Sequence, residues 1–205
     1  MRNIILVVSV LLFLSSSVYA DGGYVLLDET AAIVGNKVIL RSEFQEYLCY
    51  RAMKRGVDPE TLDRVEILND LIDEKLVVEE AAKMGIVPNS REKFDERARE
   101  IKNLLRNCPG QCSHLCEDEL FPAKRALTEI AIEEFIDKRI KLFITISDRD
   151  IMEYYVKRKD AYGETFDDEV RKKVEADLRG YLVRREYEKI VAKLRSRVRI
   201  VLSEE

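Results

Sequence analysis

Two rhythms of apolar positions run along this chain. Near the start, Ala31–Val34 and Lys37–Leu40 are short runs rich in β-branched residues on either side of Gly35-Asn36, the spacing of a β-hairpin with a two-residue turn. Beyond Arg41 the period lengthens to that of helices. Ser42 with Gln45 three residues on predicts a capping box opening a first helix to about Lys54, ended by Gly56. Asp58, with Pro59 behind it, predicts the start of a second helix that runs to Met84 and stops at Gly85. Its apolar residues form two stripes, Leu62, Val65, Leu68, Ile72 and Leu76 on one side and Ile67, Leu71, Val78 and Ala82 on another. A helix apolar on two sides must be flanked on both, which places it at the centre of the core.

Ser90 opens a third, more polar helix ending before Cys108-Pro109-Gly110. A fourth covers about Ala123–Ile144, with Leu127, Ile130, Phe135, Ile136 and Ile140 facing inward. Ser147 caps a short fifth helix carrying Tyr154 and Tyr155, and Lys157–Gly163 is a polar break. Thr165 with Asp168 opens a long last helix, striped by Val170, Val174, Leu178, Tyr181, Ile190, Val191 and Leu194. Gly180 interrupts it, at a cost of about 1 kcal/mol relative to alanine. Val198, Ile200 and Leu202 then alternate with Arg197 and Arg199 as a half-buried strand. A lone strand and a lone hairpin are both marginal in water. The expected fold is therefore mostly α with a small antiparallel sheet, in which the C-terminal strand pairs with the N-terminal hairpin.

The opening residues break the pattern. Arg2, the uncharged apolar run Ile4–Leu14, three serines and Val18-Tyr19-Ala20 read as a signal peptide, residues 1–20, cut after Ala20. On that reading the protein is exported to a periplasmic setting and is soluble there, with a helical core over 21–156, a linker at 157–164 and a closing helix and strand over 165–205. The 205 residues carry 35 Lys+Arg against 39 Asp+Glu, without the basic excess of a dedicated nucleic-acid binder. One histidine and no tryptophan leave His-based catalysis a single candidate, His114. Glu79-Glu80 and Glu133-Glu134 read as solvated helix faces.

Taken in order, Ala32-Ile33-Val34-Gly35-Asn36-Lys37-Val38-Ile39-Leu40-Arg41-Ser42-Glu43-Phe44, then Leu71-Ile72-Asp73-Glu74-Lys75-Leu76 with Gly85-Ile86, then Ile146-Ser147-Asp148 with Tyr154-Tyr155, and the closing helix with Val198–Leu202 resemble the SurA-like family of periplasmic chaperones and foldases. The resemblance implies a helical core that holds unfolded or partly folded exported polypeptides, outer-membrane proteins among them. Family members commonly carry parvulin-type prolyl isomerase domains between the tyrosine-bearing helix and the closing helix. Only about ten residues lie between Tyr155 and Thr165 here, and a domain needs roughly 50. The expectation is a non-catalytic chaperone or assembly factor with no cofactor, whose partners are non-native envelope polypeptides. A dedicated subunit of one envelope complex is the first alternative.

The second alternative lies in the cysteines. Cys108, Cys112 and Cys116 flank His114 in one loop, with Cys49 far off in the first helix. An even count in an exported chain points to two disulfides, Cys49 with one loop cysteine and the other two together. The rival is a metal site or thiol-redox centre built from Cys108, Cys112, His114 and Cys116, although neither Cys-x-x-Cys nor Cys-x-x-Cys-His occurs. For a client surface, Tyr50, Met53, Met84, Leu104, Leu105 and Phe121 are the candidates, since methionine and tyrosine suit an adaptable contact.

Overall fold

The computed structural model describes residues 28–203, so the signal-peptide reading of residues 1–20 lies outside the described residues. Strands β1 (Thr30–Val34) and β2 (Lys37–Leu40) pair antiparallel with Val34 opposite Lys37, so Gly35-Asn36 is a two-residue turn. Gly35 has φ 62° while every described residue with positive φ is a glycine, as a type II′ turn requires of its first central position. Strand β3 (Ile200–Leu202) adds antiparallel to the other edge of β1, giving the order β2-β1-β3. The fold is the expected one: mostly helical, with the C-terminal strand pairing on the N-terminal hairpin. The Gly35 N–H donates to the Arg199 carbonyl at 2.8 Å, which ties the turn to the returning chain.

The helices differ from expectation mainly in where they start. Helix α1 (Arg41–Arg55) begins two residues early, with Leu40 rather than Ser42 at the N-cap position, and Ser42 lies inside its first turn. The Asp28 carboxylate accepts the Ser42 N–H at 3.2 Å and also its hydroxyl, so an acid from the preceding segment replaces the expected capping box. Asp58 caps only a 3₁₀ turn, Pro59–Thr61, and helix α2 (Arg64–Lys83) starts afresh from Asp63, which accepts from Val65 and Glu66. Helix α3 (Arg91–Leu104) is capped by Ser90 as its sequence implies. The cysteine loop folds into a short helix, α4 (Ser113–Glu117), ahead of α5 (Phe121–Arg139). Ser147 and Asp150 form a capping box at α6 (Asp148–Val156). Residues 157–164, the expected linker, contain a four-residue turn of helix, α7 (Lys159–Tyr162). Asp167, not Thr165, caps the long α8 (Asp168–Arg195), accepting from Val170.

Helix α2 lies at the centre, packed against α1, α5 and the C-terminal half of α8. Ile67, Leu71, Ile72, Leu76, Val77 and Ala81 are its buried residues, whereas Val65 and Ala82 of the expected stripes are exposed. Leu127 of α5 and Tyr181 of α8 are likewise exposed, because each lies just off the face its helix turns inward. Three apolar clusters result. The largest joins the sheet to α1, α2 and the end of α8. A second binds α1, α3 and the cysteine loop. The third joins α6, α7 and the first half of α8 around Tyr155, Val174 and Leu178. The Tyr155 hydroxyl donates to the Gly163 carbonyl at 2.8 Å, so the expected linker is part of this satellite cluster.

Candidate functional site

A groove of about 420 Å³ opens between α1, α2 and α5. Its apolar lining is Tyr47 from α1, Leu71 and Val78 from α2 and Phe121 from α5, with the exposed Ala82 at the opening. These come together because α2 turns apolar residues to more than one side, and the side not spent on the sheet and α8 faces this opening. The volume falls within the roughly 300–1,000 Å³ of ordinary ligand clefts.

Tyr47, Glu74 and Arg125 of the lining belong to a buried ionic cluster. Arg125 of α5 is nine-tenths buried and donates to both oxygens of Glu74, with Nη2 to Oε1 at 2.9 Å. Its guanidinium lies 5.2 Å from the Tyr47 ring centroid and 4.8 Å from that of Tyr50, an arrangement favoured by the negative faces of the rings. Tyr47 donates its hydroxyl to Glu74 at 2.8 Å, and Tyr50 donates to Glu129 at 2.6 Å. Glu129 also accepts from Lys54 at 2.9 Å and Arg97 at 2.9 Å. Burial alone would raise the Glu129 carboxyl, but these donors and the Arg125 charge outweigh it and hold it down at about 2. Burial pushes both tyrosine hydroxyls well up, and the neighbouring carboxylates add to it. Every buried charge here is matched, so the cluster fastens α1, α2, α3 and α5 together.

The groove rim is charged, and its ions are largely paired. Lys37 meets Glu79 at 2.9 Å, Lys75 meets Glu43 at 2.5 Å, and Lys124 meets Asp118 at 3.6 Å. Hydrogen bonds from Lys83 and Lys37 hold Glu79 down at about 2. Glu46 differs: among the described residues it has no hydrogen bond and no ion pair. Burial raises its carboxyl above the ordinary value, with Asp118 and Glu43 adding to the effect and Lys124 and His114 opposing it.

Of the proposed client-surface residues, Tyr50, Leu105 and Phe121 are buried in the second cluster, because the cysteine loop folds over them. Met53 and Leu104 are half-buried against that cluster, and only Met84 is exposed. The six do not form one surface, and only Phe121 reaches the groove. The groove residues Tyr47, Leu71, Val78 and Glu46 escape a reading of single helices, since the opening exists only where three helices meet. A second feature the sequence hides is the turn after α5, where Leu142 and Phe143 are 76% and 71% exposed. A wider depression, about 1140 Å³, lies between α3 and the start of α5, where Asp95, Arg99, Lys102 and Glu119 join Ala98, Leu105 and Pro122 in its lining.

Cys49 stands beside Cys112 with Cα atoms 5.7 Å apart, and Cys108 beside Cys116 at 6.3 Å, both within the reach of a disulfide. Cys112 is fully buried against α1 while His114 is exposed, so Cys108, Cys112, His114 and Cys116 do not converge as four ligands around one point. Among the described residues, no three His, Cys, Asp or Glu side chains form a metal-sized group. No helix among them is long and apolar enough to cross a membrane.

Comparison with protein-family models returns no match, and comparison with curated proteins returns none either.

Proposed function

We propose that this protein is an exported chaperone or assembly factor that holds short stretches of non-native envelope polypeptide, with no isomerase activity of its own. The observation that carries the reading is the groove: an apolar floor of about 420 Å³ between three helices, open to solvent and rimmed by charge. An unfolded chain presents isolated aliphatic and aromatic side chains, and a shallow apolar floor takes these without demanding one sequence. The ordered motifs of hairpin, central helix, tyrosine helix and closing strand support it by their resemblance to SurA-like proteins. Binding should be weak, since a flexible client loses conformational entropy when held.

The test is suppression of aggregation of an unfolded outer-membrane-type β-barrel protein, with no nucleotide added. Ala82 lines the groove and is exposed, so Ala82→Trp fills the opening without disturbing packed core. The wild type should suppress aggregation at a few-fold molar excess, and A82W should lose that effect at an unchanged melting temperature. Unchanged aggregation with the wild type, alongside tight binding of one folded envelope protein, would favour the dedicated-subunit reading instead.

A further inference from the structure

We propose that the groove selects client segments in which an apolar side chain is followed or preceded by a lysine or arginine, and that Glu46 is the residue that reads this cation. The inference rests on the groove reading above and adds to it the chemistry of the occupant.

Each lysine and arginine of the lining already faces an acid: Lys37 faces Glu79, Lys75 faces Glu43, Lys124 faces Asp118 and Arg125 faces Glu74. Each lining carboxylate except one likewise has its cation. Glu46 alone, among the described residues, meets no donor within ion-pair distance, although it lies on α1 one residue before the buried Tyr47 and is itself half-buried. A carboxylate withdrawn from water without a counter-ion carries an unrecovered desolvation cost. A ligand that brings a cation to it recovers that cost, whereas an acidic ligand deepens it. The apolar floor at Leu71, Val78 and Phe121 lies in the same opening, so one short segment can fill the floor and reach Glu46 together. No free cation of the lining offers an acidic segment the same welcome. The selectivity is therefore of one sign.

Three labelled decapeptides make the test, sharing a Leu-Phe centre and differing in one flanking position, lysine, glutamine or glutamate. Affinities are read by fluorescence anisotropy at low salt. The wild type should bind the lysine peptide about two- to five-fold more tightly than the glutamine peptide, the range of a partly exposed ion pair. The glutamate peptide should be weakest. Glu46→Gln should erase the difference between lysine and glutamine peptides while leaving the glutamine peptide's affinity in place, and Glu46→Lys should favour the glutamate peptide. Added salt should narrow the wild-type preference. Equal wild-type binding of all three peptides, still blocked by A82W, would overturn the role of Glu46 and leave the groove reading standing. A lysine preference that persists in E46Q would also overturn it. Failure of every peptide to bind the wild type would count against the groove itself.

Discussion

At the scale of single residues, Arg125 and Glu129 decide how the helices meet. In the sequence they look like an ordinary i,i+4 pair on a solvated face, and such pairs are worth only about 0.3–0.5 kcal/mol. In the fold they stand between Tyr47, Tyr50 and Glu74, with little solvent to screen them. Nothing in a one-dimensional pattern separates a buried ion pair from a surface one, because the distinction comes from tyrosines 79 and 82 residues away and not from local spacing. The depressed Glu129 carboxyl gives the pair a pH signature. Its folded value, about 2, lies below the ordinary 4.5, so the unfolded chain takes up the proton first as the pH falls. Stability from this group is complete above 4.5 and drains away toward 2. Glu46, Asp70 and Asp73 are shifted upward by burial and act in the opposite sense, so the wild-type curve is a sum. Glu129→Gln isolates the contribution of this carboxylate: urea midpoints of wild type and E129Q should differ most near neutral pH and draw together as the pH falls from about 5 to about 3. A gap that stays constant over that interval would contradict the ionised, hydrogen-bonded state of Glu129.

At the scale of elements, most helices and all three strands were legible, and their first turns were the weakest part. Ser42, Asp58 and Thr165 each looked like a cap, yet Asp28, Asp63 and Asp167 supply the carboxylates that the helix N-termini use. In each case an aspartate was within reach of the free N–H groups, and a charged acceptor is favoured there by both hydrogen bonding and the helix dipole. Asp63→Ala should therefore cost about 1 kcal/mol of stability, while Thr165→Ala should cost almost nothing, as read from denaturant midpoints. The closing strand was legible for a different reason: alternating apolar residues at the chain's end needed a partner, and the hairpin was the only other β-rich segment. Truncation from Arg197 onward removes β3, uncovers the edge of β1 that it pairs with, and removes the Val198 and Ile200 contacts with the main cluster. The whole core should melt at lower temperature, and a melting curve like that of the untruncated protein would count against the sheet as a stabilising unit.

At the scale of the whole molecule, the candidate surface was the least legible feature. Tyr50, Leu105 and Phe121 are candidates for the client surface in the sequence, but the cysteine loop covers them, and no local pattern announces a loop's destination. The proposed Cys49–Cys112 bond would close 63 residues and join that loop to α1, a constraint worth about 4 kcal/mol in the chain-entropy model. Protein from an oxidising compartment should gain no mass on alkylation until it is reduced, and should gain four adducts afterwards. Free thiols before reduction would remove this link between loop and core. The groove, by contrast, emerges only from the meeting of α1, α2 and α5, and on it the functional account rests. The most direct measurement is site-specific photo-cross-linking to an unfolded β-barrel client. A cross-linker at Thr128 sits in the groove lining, and one at Val65 sits on an exposed position of α2 outside it. The account predicts adducts from Thr128 that disappear when the client is folded or when A82W fills the opening, and few from Val65. Equal yields from the two positions, or adducts from Thr128 that survive A82W, would contradict it.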